Sequence, residues 1–211
     1  MKQTASVQIT PPNIKTAVFK IVGTAPLVIH RFSAKAKNGM LDKMKEGSVA
    51  NKGKKRAPLD TEAAFNSARY VATAGWDGFN VASIRCGLVS ACRLAGFKMT
   101  LAKMSVFVEA DGRDATEPEF GLIRIYGKPR KTEMVARVET GRAYVTIRPS
   151  YDEWSAKVRI RFDADQFKIE DITNLLARVG EQVGIGEGRP DSKNSAGMGW
   201  GTFRIENEKA G

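Results

Sequence analysis

The segment Lys157–Gly180, KVRIRFDADQFKIEDITNLLARVG, changes its hydrophobic period halfway along its length. Over Lys157–Phe162 apolar residues alternate with basic ones, which predicts a β-strand with one buried face. Over about Ile169–Val179 the apolar residues recur at helical spacing, which predicts an amphipathic helix closed by Gly180. A strand followed by such a helix indicates a fold that mixes both kinds of element.

The rest of the chain adds further strands and helices around this segment. Apolar or alternating stretches predict strands at Ala17–Gly23, Val106–Val108, Leu122–Tyr126, Arg142–Arg148 and Thr202–Glu206. Helices are expected at about Thr61–Ala72 and from Ser83, acting as N-cap, to a stop at Gly96. We therefore expect one α+β domain over residues 1–211. Its core would be ferredoxin-like or RRM-like, βαββαβ with an antiparallel sheet, with an inserted arm after the first strand and extra β-hairpins.

The chain is strongly basic, and much of its charge lies in the inserted arm. Lys and Arg number 34 against 23 Asp and Glu, a formal net charge of +11, which attracts polyanions such as nucleic acids. Residues 31–60 form the predicted arm, and its basic side chains outnumber its acidic ones nine to two up to residue 56. The nine are Arg31, Lys35, Lys37, Lys43, Lys45, Lys52, Lys54, Lys55 and Arg56.

Three predicted strands place basic and aromatic residues opposite their apolar sides. These residues include Arg142, Tyr144 and Arg148 on one strand and Arg159 and Arg161 on another, with Arg124 and Tyr126 on a third. Cations that hold phosphates beside rings that stack on bases are typical of proteins that bind single-stranded nucleic acid. The alternative is that any solvent-facing sheet surface is polar; we favour binding because these outward positions contain no acidic residue.

A glycine-rich loop covers residues 184–201, GIGEGRPDSKNSAGMGWG, and it also contains Arg189 and Lys193. Glycine allows positive φ angles and lets a backbone approach a phosphate closely. The loop lacks the Gly-Lys-Ser/Thr ending of a Walker motif, and it precedes a strand where a dinucleotide fingerprint precedes a helix. We therefore expect no nucleotide cofactor; the alternative is a loop that only connects two elements.

No catalytic or metal-binding set is apparent in the sequence. The single histidine, His30, has no partner for a triad, and the two cysteines have no His or Cys at metal-ligand spacing. The sequence shows neither a signal peptide nor a run of membrane-spanning length. We expect a soluble, cytoplasmic, non-enzymatic protein of a bacterial or phage-infected bacterial cell, without metal, cofactor or membrane partner.

Three segments together resemble the RAMP superfamily, the RRM-like proteins that include backbone subunits of CRISPR effector complexes. They are Gly23–Phe32 (GTAPLVIHRF), Asn80–Cys92 (NVASIRCGLVSAC) and the glycine-rich loop with the strand after it. The same segments are similar to those of phage and prophage proteins of unassigned role, which share a Gly-Glu-x-Arg-Pro core matched at Gly186–Pro190.

The resemblance implies copies that stack side by side along a single strand. The nucleic-acid-binding groove would then be lined by Ser83, Arg85, the glycine-rich loop and the basic arm. The start of the helix at Ser83 would bind a phosphate. Some relatives cut RNA with an aspartate in the inserted loop; Asp42 and Asp60 are the nearby candidates here.

The sequence thus predicts a non-enzymatic nucleic-acid-binding protein whose partners are single-stranded DNA or RNA and copies of itself. A second hypothesis is a phage-type structural or interaction protein that self-assembles or engages a CRISPR-type complex. A third is a metal-dependent ribonuclease.

Overall fold

A computed structural model describes residues 10–32, 38, 40–41, 60–137, 143–192 and 197–206. Eleven strands lie in the described part: β1 Ile14–Gly23, β2 Leu27–Val28, β3 Tyr70–Val71, β4 Asp77–Asn80, β5 Val106–Glu109, β6 Gly112–Arg113, β7 Gly121–Arg124, β8 Arg130–Arg137, β9 Ala143–Tyr151, β10 Ser155–Asp163 and β11 Phe203–Ile205. The α-helices of the same residues are α1 Thr61–Ser67, α2 Val81–Leu94, α3 Met99–Ser105 and α4 Ile169–Arg178. The fold is α+β.

The central sheet has four strands in the order β11-β1-β10-β5, and every neighbouring pair is antiparallel. Helix α2 lies between β1 and β5 in the chain, and α4 lies between β10 and β11. One core cluster joins both helices to one face of the sheet, with Ile84, Leu88 and Leu176 packed among Ile21 and Ile160. The opposite face of this sheet is left without helices among the described elements.

The alternation predicted for Lys157–Phe162 is confirmed. Val158, Ile160 and Phe162 are buried in the core, whereas Lys157 and Arg161 are exposed. In α4, the predicted apolar face also packs inward through Ile172, Leu175 and Leu176. Both patterns are read correctly from local spacing because each element buries a single face.

Three predicted helix ends are wrong for identifiable reasons. The helix expected to reach about Ala72 ends at Ser67, because Tyr70 and Val71 pair with β4 as strand β3. Asn80, not Ser83, is the N-cap of α2, because Asn80 has extended backbone and its side-chain oxygen accepts the Ala82 N–H at 2.8 Å. Gly180 does not close the last helix, since α4 continues into a π-helical turn, Val179–Val183. A side chain at Gly180 would meet the Phe203 carbonyl, so this glycine permits close packing on β11.

Two smaller sheets hold two of the three strands that the sequence assigned to one basic face, and the central sheet holds the third. The first has the order β2-β9-β8, and the second has the order β3-β4-β7-β6. Arg124 therefore lies in one sheet, Arg148 in another and Arg161 in the central sheet. The predicted continuous face across these strands is not formed.

Candidate nucleic-acid interface

The described parts of the glycine-rich loop, residues 184–192 and 197–201, have a backbone that depends on the glycines. All six have positive φ, the region that favours glycine. At Gly201 (φ 66°) an added Cβ would lie 1.8 Å from the Ile185 carbonyl oxygen, and at Gly186 (φ 78°) it would lie 2.5 Å from that of Val28. Backbone bonds from Glu187 N to Val28 O (2.9 Å) and from Gly201 N to Pro26 O (2.8 Å) hold the loop against β2. These contacts and hydrogen bonds fix the described part of the loop in place, where it forms one wall of a surface groove.

This wall faces the first turns of α2 across a groove. Two adjoining cavities of about 270 and 300 Å³ form the groove, and Ser83, Gly186 and Arg189 line both. The larger of the two is also bordered by His30, two residues after the end of β2, and by Tyr70 and Asn80. Ser83 and the glycine-rich loop, about a hundred residues apart in the chain, thus lie in one site.

Arg189 is the groove residue best placed to supply positive charge. Its Nη1 donates to the Gly186 carbonyl at 3.2 Å, and no carboxylate of the described residues pairs with it. The acids of the groove are matched to other arginines. Asp191 accepts from Arg93 at 3.2 Å, and Glu187 accepts from Arg148 Nε at 2.6 Å.

His30 lies at the same wall, with its Nδ1 3.7 Å from the Glu187 carboxylate. Burial lowers the pKa of the imidazole below its ordinary value of 6.5, and the Arg148 guanidinium lowers it further. The Glu187 carboxylate acts in the opposite direction. Near neutral pH the His30 ring is therefore uncharged and is available for stacking or hydrogen bonding.

Arg31 is withdrawn from the surface. Its guanidinium is 9% exposed and donates to Asp114 at 3.0 Å and to Glu117 at 3.2 Å. Its backbone N–H donates to the Ala68 carbonyl at 3.0 Å. Arg31 therefore anchors the entry of the basic arm and does not belong to the groove surface.

Asp60 anchors the other end of the arm. Its side chain caps α1 by accepting the backbone N–H groups of Glu62 and Ala63, both at 3.0 Å. The basic arm thus departs from the groove wall just after His30 and rejoins the described structure at a helix cap. The other eight basic residues predicted for the arm lie outside the described residues, as do Asp42, Arg142 and Lys193; so does the side chain of Tyr144.

Arg85 points away from the groove, toward the edge of β5. It donates to the carbonyls of Lys103 (2.7 Å) and Val106 (3.2 Å), and its guanidinium lies over the Phe107 ring. Arg161 also lies over that ring, 5.6 Å from its centroid. These residues form a partly buried cation–aromatic cluster on the sheet edge, separate from the groove.

Arg159 has acidic neighbours that its own strand did not reveal. It donates to the Asp111 carboxylate, and its Nε lies 3.8 Å from the carboxylate of Glu109, the residue directly opposite it on the neighbouring strand β5. The outward positions of the three predicted strands lack acids, but the adjacent strand supplies them. Arg148 is likewise neutralised, by Glu187.

Several groove residues were not singled out as site residues from the sequence. Asn80, Tyr70 and Cys86 line it, and Cys86 is exposed there while Cys92 is buried. Asn80 is detectable as a helix cap, since Asn is a favoured residue at that position. The sequence around Tyr70 does not indicate that it lines the groove, because it lies in the two-residue strand β3, which is too short to show a hydrophobic period.

Among the described side chains, no group of three or more His, Cys, Asp or Glu residues is arranged to hold a metal ion. Within the same part of the chain, no helix has both the length and the apolar character needed to cross a bilayer. A scan of protein-family models and a search of curated proteins gave no match to this chain. The functional argument therefore depends on the groove itself.

Proposed function

We propose that this protein binds single-stranded nucleic acid in the groove between α2 and the glycine-rich loop, without cleaving it. The observation that carries the proposal is the meeting of Ser83, Gly186 and Arg189 in one groove at the root of the basic arm. A backbone rich in positive-φ glycines lets phosphates approach main-chain N–H groups, and Arg189 supplies a cation that no described carboxylate neutralises.

The groove suits a single strand better than a duplex. The walls of the two cavities combine the His30 imidazole, which is 46% exposed, and the Tyr70 ring with the cation of Arg189. Bases that are not paired can stack on such rings, whereas the bases of a duplex are already stacked.

The arm extends this site electrostatically. Between its anchors at Arg31 and Asp60 the sequence carries eight further basic residues against two acidic ones. Their phosphate contacts would be independent of base sequence and sensitive to salt.

The architecture also supports the finer fold proposal. The order β11-β1-β10-β5, with a helix after the first and third of these strands in chain order, is the arrangement expected of a ferredoxin-like core. We propose on this basis, and on the three resembling segments, that the chain is RAMP-like and that copies assemble side by side along a strand.

Cleavage is not part of the proposal because Asp60 has another role. Its carboxylate oxygen Oδ1 already accepts two backbone N–H groups at the start of α1. An aspartate held in this way stabilises the helix terminus.

Cys86 provides a direct test, because it is exposed on the groove wall while Cys92 is buried. Bound single-stranded DNA or RNA is expected to slow maleimide labelling of Cys86 in the full chain, and excess salt should restore the free rate. Arg189→Gln should weaken protection and affinity about tenfold or more, since charge-assisted bonds contribute about 1.5–3 kcal/mol.

The matched control is Arg178→Gln, which removes one charge from an exposed helix position outside the groove. It should leave labelling protection unchanged. Equal losses in the two variants would show that only overall charge matters, and unprotected Cys86 in a saturated complex would exclude the groove.

A further inference from the structure

The edge of β1 that faces β11 is only partly paired. β11 covers Ile21–Gly23, and the Glu206 N–H donates to the Lys20 carbonyl at 2.8 Å. From Ile14 to Phe19, no strand of the described residues lies on this side of β1. A cavity of about 600 Å³ lies where the open part meets the end of β11, bordered by Val18, Lys20, Thr173 and Ile205.

The unpaired backbone groups can be assigned by alternation. Because the Lys20 carbonyl points toward β11, the N–H and C=O groups of Val18, Thr16 and Ile14 point the same way. Two of these residues carry large apolar side chains at the surface, with Ile14 44% and Val18 61% exposed. An exposed edge of this kind is a ready template for another strand.

The other edge of the same sheet is already blocked. The Arg85 guanidinium donates to the Val106 carbonyl on the outer side of β5 and covers the Phe107 ring. Pairing between β1 of one molecule and β5 of another is therefore obstructed. Among the described strands of the central sheet, the edge left for β1 to meet is therefore the same edge of another copy.

The sequence of this edge is self-complementary about Thr16. In an antiparallel pair centred on Thr16, Ile14 of one copy lies opposite Val18 of the other, on the face without helices. Lys15 lies opposite Ala17, so no like charges are placed directly across from each other. The hydrogen-bond ladder between the two copies begins at Ile14, the first residue of β1, and ends at Val18. It stops there because Lys20 is already paired with Glu206.

We propose that β1 pairs with β1 of a second copy of this chain over Ile14–Val18, forming a twofold dimer with a continuous sheet. About six backbone hydrogen bonds and two Ile14–Val18 contacts stabilise the pair. The contact does not depend on the proposed nucleic-acid binding. Because the contact is twofold symmetric, it is complete with two copies. Side-by-side stacking of copies along a nucleic-acid strand would therefore use other surfaces.

Disulfide trapping tests the register in the full chain, with Cys86→Ser as background and nuclease-treated protein. Thr16→Cys places two cysteines with Cα atoms about 5.5 Å apart, inside the disulfide range of about 4.4–6.8 Å. Mild oxidation is expected to convert most of this variant into a covalent dimer.

The matched controls are Ile14→Cys and Val18→Cys, which lie on the same strand but do not face themselves across the twofold axis. Each alone should form no covalent dimer under oxidation, whereas a mixture of the two should form a mixed disulfide. Failure of Thr16→Cys to cross-link, or equal cross-linking of Ile14→Cys alone, would overturn the proposal.

Light scattering supplies an independent readout. Thr16→Pro removes an outward N–H at an edge position that tolerates proline, and it should give monomers, while Thr16→Val should remain dimeric. A wild-type protein that is monomeric at every concentration contradicts the proposal. So does slow amide exchange at Val18 in that monomer, which would mean that another segment of the same chain covers the edge.

Discussion

Arg31 shows at the residue scale why a basic position in the sequence is a poor guide to a binding residue. The sequence places Arg31 first in a basic arm, but its partners Asp114 and Glu117 lie 83 and 86 positions further along the chain. No local pattern reports such a pairing. By contrast, Ser83 and Arg189 could be selected from local motifs, and both line the groove.

Removing the Arg31 charge should destabilise the fold. Arg31→Met leaves Asp114, which is fully buried, without its cation, and loss of one partner from a buried pair costs about 3–5 kcal/mol. Arg130→Met is the matched control because it breaks an exposed pair with Asp152, worth at most about 1 kcal/mol. Urea unfolding measures both free energies, and similar values for the two variants would contradict the anchoring role.

His30 allows the electrostatics of the groove to be measured directly, since it is the single histidine of the chain. Its NMR titration should have a midpoint below the ordinary pKa of 6.5. Arg148→Gln should raise the pKa, because it removes a repelling cation, and Glu187→Gln should lower it. A midpoint unchanged in both variants would mean that neither side chain lies near the ring in solution.

The lowered pKa of His30 also determines in which direction this residue changes the unfolding free energy with pH. A lowered pKa means that the unfolded chain takes up the proton first as the pH falls. The His30 contribution is therefore constant above about pH 6.5 and becomes unfavourable as the pH falls from there through the lowered folded-state pKa. His30→Gln should flatten this part of the unfolding free-energy profile.

At the scale of elements, the strands and helices that bury one face were predictable and the short pieces were not. β10 and α4 each have a clear period, whereas β2, β3 and β6 are two residues long and have none. The helix α3 and the long strand β8 were also missed. Tertiary pairing, such as β8 with β9 through eight residue pairs, creates order that local spacing does not indicate.

The glycine-rich loop offers an element-scale prediction with an internal control. Gly201→Ala and Gly199→Ala both force alanine into positive φ, at about 1–2 kcal/mol each. Only at Gly201 would the new Cβ meet a backbone oxygen, while nothing lies within 4 Å at Gly199. We expect the Gly201 variant to lose more unfolding free energy and more nucleic-acid affinity. Equal effects would mean that the loop is not held against Ile185.

At the scale of the whole molecule, the net charge of +11 overstates the cations available for binding, because several described arginines are paired with carboxylates. Arg31, Arg148 and Arg159 are neutralised by carboxylates, so they add little to a binding surface. Arg189, which no described carboxylate neutralises, remains as the cation of the proposed groove, and the sequence of the arm carries eight further basic residues. The candidate binding site is therefore not the predicted sheet face. It is the groove beside the start of the arm, where the first turns of α2 and the glycine-rich loop, far apart in the chain, lie together.

The most direct test of the central claim is the affinity for a single-stranded oligonucleotide measured across a salt series. The account predicts tight binding at low salt, a logarithmic affinity that falls steeply and linearly with the logarithm of salt, and weaker binding of the matched duplex. It also predicts that Arg189→Gln reduces affinity at every salt concentration. Absence of binding at low salt, or an affinity that does not change with salt, would contradict it.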